Sequence, residues 1–181
     1  MIMKRLLLLV VIITLFLSAF AYAAGKIDNV EIGMKLKDFF KIIPKEKMRL
    51  QGGQYLFKEK VENLDGEWCF DTKDNKINWF QFSYYPPNKK VDKKTYDFLL
   101  KETEAIIKGL TTVYGKPKEL TKTAPYKDPF KDILVSSYVV KKALWITPKK
   151  GIKTEFYFFG GKGEYWMSVQ IHVNKKDYKY F

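Results

Sequence analysis

Two periods organise the apolar residues of this chain. Over residues 34–43, Leu36, Phe39, Phe40 and Ile43 fall at i, i+3, i+4 and i+7, which is one face of a helix, and Pro44 stops the pattern. From about Lys93 to Tyr114 a longer stripe joins Tyr96, Leu99, Leu100, Ile106, Ile107, Leu110, Val113 and Tyr114, with Lys94, Lys101, Glu102, Glu104 and Lys108 off it. Asp92 is placed to cap this second helix, and Gly115 with Pro117 to end it. Elsewhere the pattern alternates or runs short and apolar, which predicts strands over 54–58, 68–71 and 77–85, then 133–140, 143–147, 154–159 and 165–173. Turn chemistry marks Thr72-Lys73-Asp74-Asn75-Lys76, Pro148-Lys149-Lys150-Gly151 and Gly160-Gly161-Lys162-Gly163. Pro86 and Pro87 close the first block of strands, and residues 120–131, with Pro125 and Pro129, read as a loop.

The order helix then strands occurs twice. The expected fold class is therefore α+β, with two helix-plus-antiparallel-meander repeats forming a mostly antiparallel sheet and helices on one face. The repeats divide at residues 24–87 and 88–181, inside one compact domain over 24–181. Trp68, Ile77 and Phe80-x-Phe82 in the first half are echoed by Trp145, Ile152 and Phe156-x-Phe158 in the second, the trace expected of an internal duplication. A short helix opened by Ile32-Gly33-Met34, a helix closed by Tyr114-Gly115-Lys116-Pro117 and strands after each resemble the tandem domains of the β-lactamase-inhibitor-protein-like fold. The small outer-membrane-assembly lipoproteins have a related single unit. The resemblance implies a secreted or periplasmic protein that binds another macromolecule and has no catalytic site. The cysteine that would carry a lipid directly after the leader is absent, so lipid anchoring does not carry over.

Residues 1–23 read as a secretory signal peptide: Lys4 and Arg5, an apolar run from Leu6 to Phe20, then Ala21-Tyr22-Ala23 with cleavage expected after Ala23. An uncleaved anchor would need about 20 apolar residues, and this run is shorter. The chain is basic, with 33 Lys and Arg against 20 Asp and Glu and a formal net charge of +13, and it stays basic once Lys4 and Arg5 are removed. Lysines crowd residues 89–90, 93–94, 116–122, 149–150 and 175–176. Such lysines form a solvated surface, or they attract an acidic protein, anionic lipid or an envelope polymer with an affinity that falls as salt rises. Nucleic acid is not an expected partner, because after residue 23 Arg49 is the sole arginine and the lysines are scattered. Cys69, the one cysteine, cannot form an internal bridge, and its place between Trp68 and Phe70 predicts burial.

No catalytic, metal or cofactor signature is present in the sequence. His172, the one histidine, alternates with apolar residues in Ser168-Val169-Gln170-Ile171-His172-Val173 and reads as a strand histidine facing solvent. No Cys-x-x-Cys, His-x-x-x-His or Gly-x-Ser-x-Gly pattern accompanies it. Gly160-Gly161-Lys162-Gly163 joins two strands, whereas a phosphate-cradling loop leads into a helix. Glu67, Asp71 and Glu155 could converge across a sheet for acid–base work, but any domain with 20 acidic residues offers such pairs, and a hydrolase is the least favoured reading.

Alternation along the strands carries more information. With Phe80, Phe82 and Tyr84 toward the helices, Trp79, Gln81, Ser83 and Tyr85 face away; with Tyr165, Met167, Val169 and Ile171 inward, Trp166, Ser168, Gln170 and His172 face away. Trp145 and Tyr157 join the outward set if Leu144, Ile146, Phe156 and Phe158 are core. The candidate partner-binding residues are thus Trp79, Gln81, Tyr85, Trp145, Tyr157, Trp166, Gln170 and His172. Aromatics mixed with Gln, Ser and His compose a docking surface for a protein partner. The other reading packs these residues against loops, termini or a second copy of the chain. The expected function is an exported, non-enzymatic binding protein of the cell envelope, secreted or periplasmic, without metal or cofactor. The alternative is a peripheral envelope protein that holds anionic lipid or polymer through its lysines.

Overall fold

The computed structural model describes residues 29–87, 92–122, 138–161 and 164–175. The expected signal sequence and its expected cleavage point lie outside these residues, as do most of the expected 120–131 loop and half of the Gly160–Gly163 turn. A short helix α1 (Leu36–Ile42) and a single 3-10 turn (Lys45–Lys47) lead into strands β1 (Arg49–Gln51), β2 (Gln54–Val61), β3 (Leu64–Lys73) and β4 (Lys76–Tyr84). Helix α2 (Lys93–Tyr114) is followed by β5 (Glu119–Lys122), β6 (Tyr138–Ile146), β7 (Gly151–Gly161) and β8 (Glu164–Asn174). The eight strands form one sheet in the order β1-β2-β3-β4-β8-β7-β6-β5, and every neighbouring pair is antiparallel. The last strand of each half therefore meets at the centre.

Local chemistry explains the joints. Gly52-Gly53 and Asp74-Asn75 connect their hairpins with positive φ at both residues, the backbone that two-residue turns of a right-twisted ribbon require. Asp92 caps α2 by accepting from the Thr95 backbone N–H at 2.8 Å, and Gly115, at φ 77°, takes the chain out of it. Both helices cover the same face. Phe39 of α1 packs on Phe70 and Phe80 at 4.4 and 5.9 Å between ring centres, Trp68 stacks on Phe80 at 4.2 Å, and Tyr96 of α2 meets Phe156 at 5.3 Å. Leu99, Ile106, Ile107 and Leu110 of α2 complete the core with Val169, Ile171 and Val173 of β8. Lys150, in the β6–β7 turn, is buried and donates to the Val30 backbone carbonyl at 3.0 Å, tying the start of the described chain to the second half.

Several expectations are corrected. The strands expected at 133–140 and 143–147 are one strand over the described range, β6, because Lys141 and Lys142 continue the ladder to β7. The start of the expected 120–131 loop belongs to β5, which pairs with β6 from Glu119↔Leu144 to Lys122↔Lys141, and Arg49–Gln51 forms an edge strand that no pattern announced. Trp145 is not on the outward face. It is 2 % exposed and lies among the core residues, whereas Ile146 is 39 % exposed and Leu144, though buried, lies on the side away from the helices. The register to β7 slips between Val139 and Lys141, so Lys141, Ala143 and Trp145 turn inward together. Cys69 is half-buried on the outward face rather than in the core, since Trp68 and Phe70 take the inward positions. Trp68 sits on the third strand of its half and Trp145 on the second of its own, so the echoed residues do not occupy corresponding strands.

Candidate functional site

Across the middle of the outward face, the pairing registers align side chains in rows. One row runs Cys69–Gln81–His172–Lys153 over β3, β4, β8 and β7; the next runs Glu67–Ser83–Gln170–Glu155 over the same strands and continues to Lys142 of β6; a third places Ser168 beside Tyr157. Each row exists because alternation sends every second residue of a strand to this side. Where the last two strands meet, the face sinks into a hollow of ≈ 250 Å³ floored by Glu155, Ser168 and Gln170 and walled by Lys153, His172, Tyr157, Trp166 and Tyr85.

Five of the eight candidate residues, Tyr85, Tyr157, Trp166, Gln170 and His172, line that hollow. Gln81 is the cross-strand neighbour of His172, and its Nε2 donates to Ser83 Oγ at 2.9 Å. Trp79, half-buried, pairs with Asp71 one row nearer the β3–β4 turn, outside the hollow, and Trp145 is on the other face. Lys153 was missed by the sequence reading, and Glu155 was weighed there only as an acid. Extending the alternation of Tyr157 back along β7 to Gly151 would have placed Lys153, Glu155 and Tyr157 side by side.

The hollow is lined by a polar network. His172 Nε2 lies 3.0 Å from Gln170 Oε1, so that nitrogen donates and the Gln170 amide nitrogen points elsewhere, to Tyr85 Oη and Ser168 Oγ, each at 3.4 Å. Glu155 is 3 % exposed. Lys153 Nζ stands 3.1 Å from Glu155 Oε2 and His172 Nε2 3.6 Å from it, yet neither approach has hydrogen-bond geometry, so the oxygen has a counter-ion and accepts no hydrogen bond. Burial, reinforced by the Lys153 charge, pushes His172 down to about 4 and leaves it neutral near pH 7. Burial, reinforced by the Glu155 carboxylate, pushes the Tyr157 phenol up to about 12. His172 does face outward, but its neighbours cover most of it, leaving the side chain 26 % exposed.

Chemically the arrangement offers donors, acceptors and aromatic faces. Glu67 and Glu155 share a row but stand three strand spacings apart, roughly 14 Å, and Glu67 is held by Arg49 Nη2 at 2.8 and 3.0 Å. Glu67 and Glu155 therefore do not converge in this row. Among the described residues no cluster of three or more His, Cys, Asp or Glu side chains is placed to hold a metal ion, and no helix is long and apolar enough to cross a membrane. Burial, with Glu67 adding, pushes the Cys69 thiol up to about 11. No protein-family model, no curated protein and no solved structure matches this chain.

Proposed function

We propose that this chain is an exported, non-enzymatic binding protein of the cell envelope that docks a protein partner through the outward face of β4, β8 and β7. The observation that carries the reading is the gathering of Tyr85, Tyr157, Trp166, Gln170 and His172 around one hollow. A sheet face whose only task was solvation would not concentrate large rings there, whereas aromatic anchors beside adaptable polar groups are what docking surfaces use. The duplicated fold that accompanies this reading draws support from the element order: each half supplies a helix followed by four antiparallel strands, and β4 and β8 pair at the centre.

The purified protein, crosslinked to native envelope extract at low and high salt, tests it. One dominant protein captured at both salt levels, and lost with Trp166→Ala and Tyr85→Ala while their melting temperatures hold, is the expected result. Undiminished capture by both variants would move the docking surface elsewhere. The second reading, anionic lipid or polymer held by lysines, draws on Lys35, Lys37 and Lys76, which border a shallow hollow of ≈ 430 Å³ beside α1. It requires capture of lipid or polymer that disappears as salt rises.

A further inference from the structure

We propose that the α1 end of the molecule docks on the surface of a bilayer rich in anionic phospholipid, with Lys35, Lys37 and Lys76 on the phosphates and Leu50 pressed into the interface. The inference rests on the second reading above, in which lysines hold an anionic ligand, and narrows that ligand to a membrane surface. It is independent of the outward face.

Backbone pairing places the cations. Gly33 N–H donates to the Ile77 carbonyl at 2.7 Å, Ile77 N–H to that of Met34 at 2.9 Å and Leu36 N–H to that of Asn75 at 2.9 Å. The chain entering α1 therefore runs antiparallel to the start of β4 and sets Lys35 directly opposite Lys76. Like charges in that position destabilise the pairing, and an arriving anion relieves them. Lys35, Lys37 and Lys76 have no ion-pair partner among the described residues. Asp38, the acid on α1, is taken by Lys41 at 2.7 Å, and Asp74 borders the same hollow of ≈ 430 Å³ as the three lysines, which leaves the hollow with an excess of cations.

Apolar surface beside the lysines separates a bilayer from a soluble polyanion. Leu36 and Phe40, one turn apart on α1, line the hollow and are half-buried. Lys45 Nζ stands 5.9 Å from the centre of the Phe40 ring. Phe40 meets Tyr55 edge-on at 6.0 Å between ring centres, and the cross-strand partner of Tyr55 on the edge strand β1 is Leu50. At 66 %, Leu50 is the most exposed large apolar side chain among the described residues. A soluble polymer would cover the lysines and leave Leu50 in water. A bilayer takes both, because the leucine reaches the acyl boundary while the lysine heads stay with the phosphates on stems that lie along apolar surface.

Sedimentation with vesicles of phosphatidylcholine, alone or with about 30 % phosphatidylglycerol, tests this. The purified protein is used without residues 1–23, whose apolar run would itself enter a bilayer; the described fold begins at residue 29 and loses nothing by it. The protein should bind the anionic vesicles and not the neutral ones, and should lose tenfold or more in affinity between about 0.1 and 0.5 M salt. The triple change Lys35→Gln, Lys37→Gln and Lys76→Gln should weaken binding about a hundredfold, at roughly fivefold per lysine. Leu50→Gln should weaken it about threefold or more, and both variants should keep the wild-type melting temperature. Removing as many charges from the exposed side of α2, by Lys94→Gln, Lys101→Gln and Lys108→Gln, should weaken it by less than about tenfold. Equal losses in the two triple variants, or binding unchanged in both, overturn the proposal. Polyglutamate bound in place of vesicles, with no effect of Leu50→Gln, removes the membrane and keeps the lysine reading, whereas failure of both vesicles and polyglutamate removes that reading as well. A dimer that Leu50→Gln dissociates, with vesicles left unbound, overturns the proposal by giving the surface to a second copy of the chain.

Discussion

Trp145 Nε1 donates to the backbone carbonyl of Gly115 at 2.9 Å, joining the core of β6 to the residue that ends α2. The bond explains which way β6 faces. An inward Trp145 buries the larger apolar surface and gives its N–H a partner at a helix end whose carbonyls lack intrahelical donors, whereas an inward Ile146 would do neither.

Trp145→Ala should accordingly destabilise the protein by about 3–5 kcal/mol, and Trp145→Phe, which keeps much of the volume but loses the N–H, by roughly 1–2 kcal/mol. Trp166→Ala, on the rim of the hollow, should stay within about 1 kcal/mol of the wild type. Urea unfolding of the three variants checks the ranking, and equal losses at the two tryptophans would contradict the faces assigned to them.

Much of this fold was legible because period and propensity agree with packing. The α2 stripe, Asp92 and Gly115 placed both ends of that helix, and alternation put Phe80, Phe82, Val169 and Ile171 inward. The centre of the candidate site followed from the same alternation. What sequence could not supply was register. Alternation through Leu144, Trp145 and Ile146 fits either face, and the choice depends on a slip at Val139–Lys141 and on a carbonyl thirty positions earlier. The edge strands β1 and β5 were illegible for a related reason: three and four residues pair only because a longer strand stands beside them. Lys153 and Glu155 join the hollow through their cross-strand neighbours His172 and Gln170, which lie in another segment of the chain.

A close approach on the core side provides a second prediction. Gly66 of β3 lies beneath the ring of Phe82, and a Cβ there would stand 2.3 Å from Phe82 Cζ and 2.7 Å from the Ser83 carbonyl oxygen. The ring can tilt away, but the backbone carbonyl cannot move without disturbing the β3–β4 ladder. Gly66→Ala should cost at least about 2 kcal/mol, and Phe82→Leu in the same chain should recover only part of that loss. Full additivity of the two changes in a double-mutant cycle would show that the ring and the glycine do not interact.

The hollow should also respond to acid in a defined direction. His172 is pushed from an ordinary 6.5 down to about 4, first by burial and then by Lys153, so the unfolded chain takes up a proton that the folded chain refuses until lower pH. The contribution to stability is fully present above about pH 6.5 and is lost as pH falls toward 4, by roughly 3 kcal/mol at most. His172→Gln should flatten that part of the pH–stability curve. The imidazole protons, followed by NMR, should titrate near 4; a midpoint near 6.5 would mean that the ring is more open to water than its neighbours allow.

On the helix side, Glu102 of α2 is 3 % exposed and is held by Asn63, in the β2–β3 turn, whose backbone N–H donates at 3.2 Å and whose side-chain amide reaches both carboxylate oxygens at 3.1 Å. The neighbouring Glu62, at φ 53°, has its carboxyl raised above the ordinary range by burial and then by the Glu102 charge. A second buried carboxylate is therefore already tolerated poorly here. Asn63→Ala removes the side-chain donors and leaves the backbone one, which should cost about 1.5–3 kcal/mol, as hydrogen bonds to charged groups do. Asn63→Asp keeps the shape, replaces those donors with a like charge, and should cost more than the alanine at pH 7. Because the added carboxyl can take up a proton and donate again, the aspartate variant should regain stability relative to the alanine variant as pH falls through 5. An aspartate variant that tracks the alanine one at every pH would show that volume, not the charge on Glu102, fixes the turn to the helix.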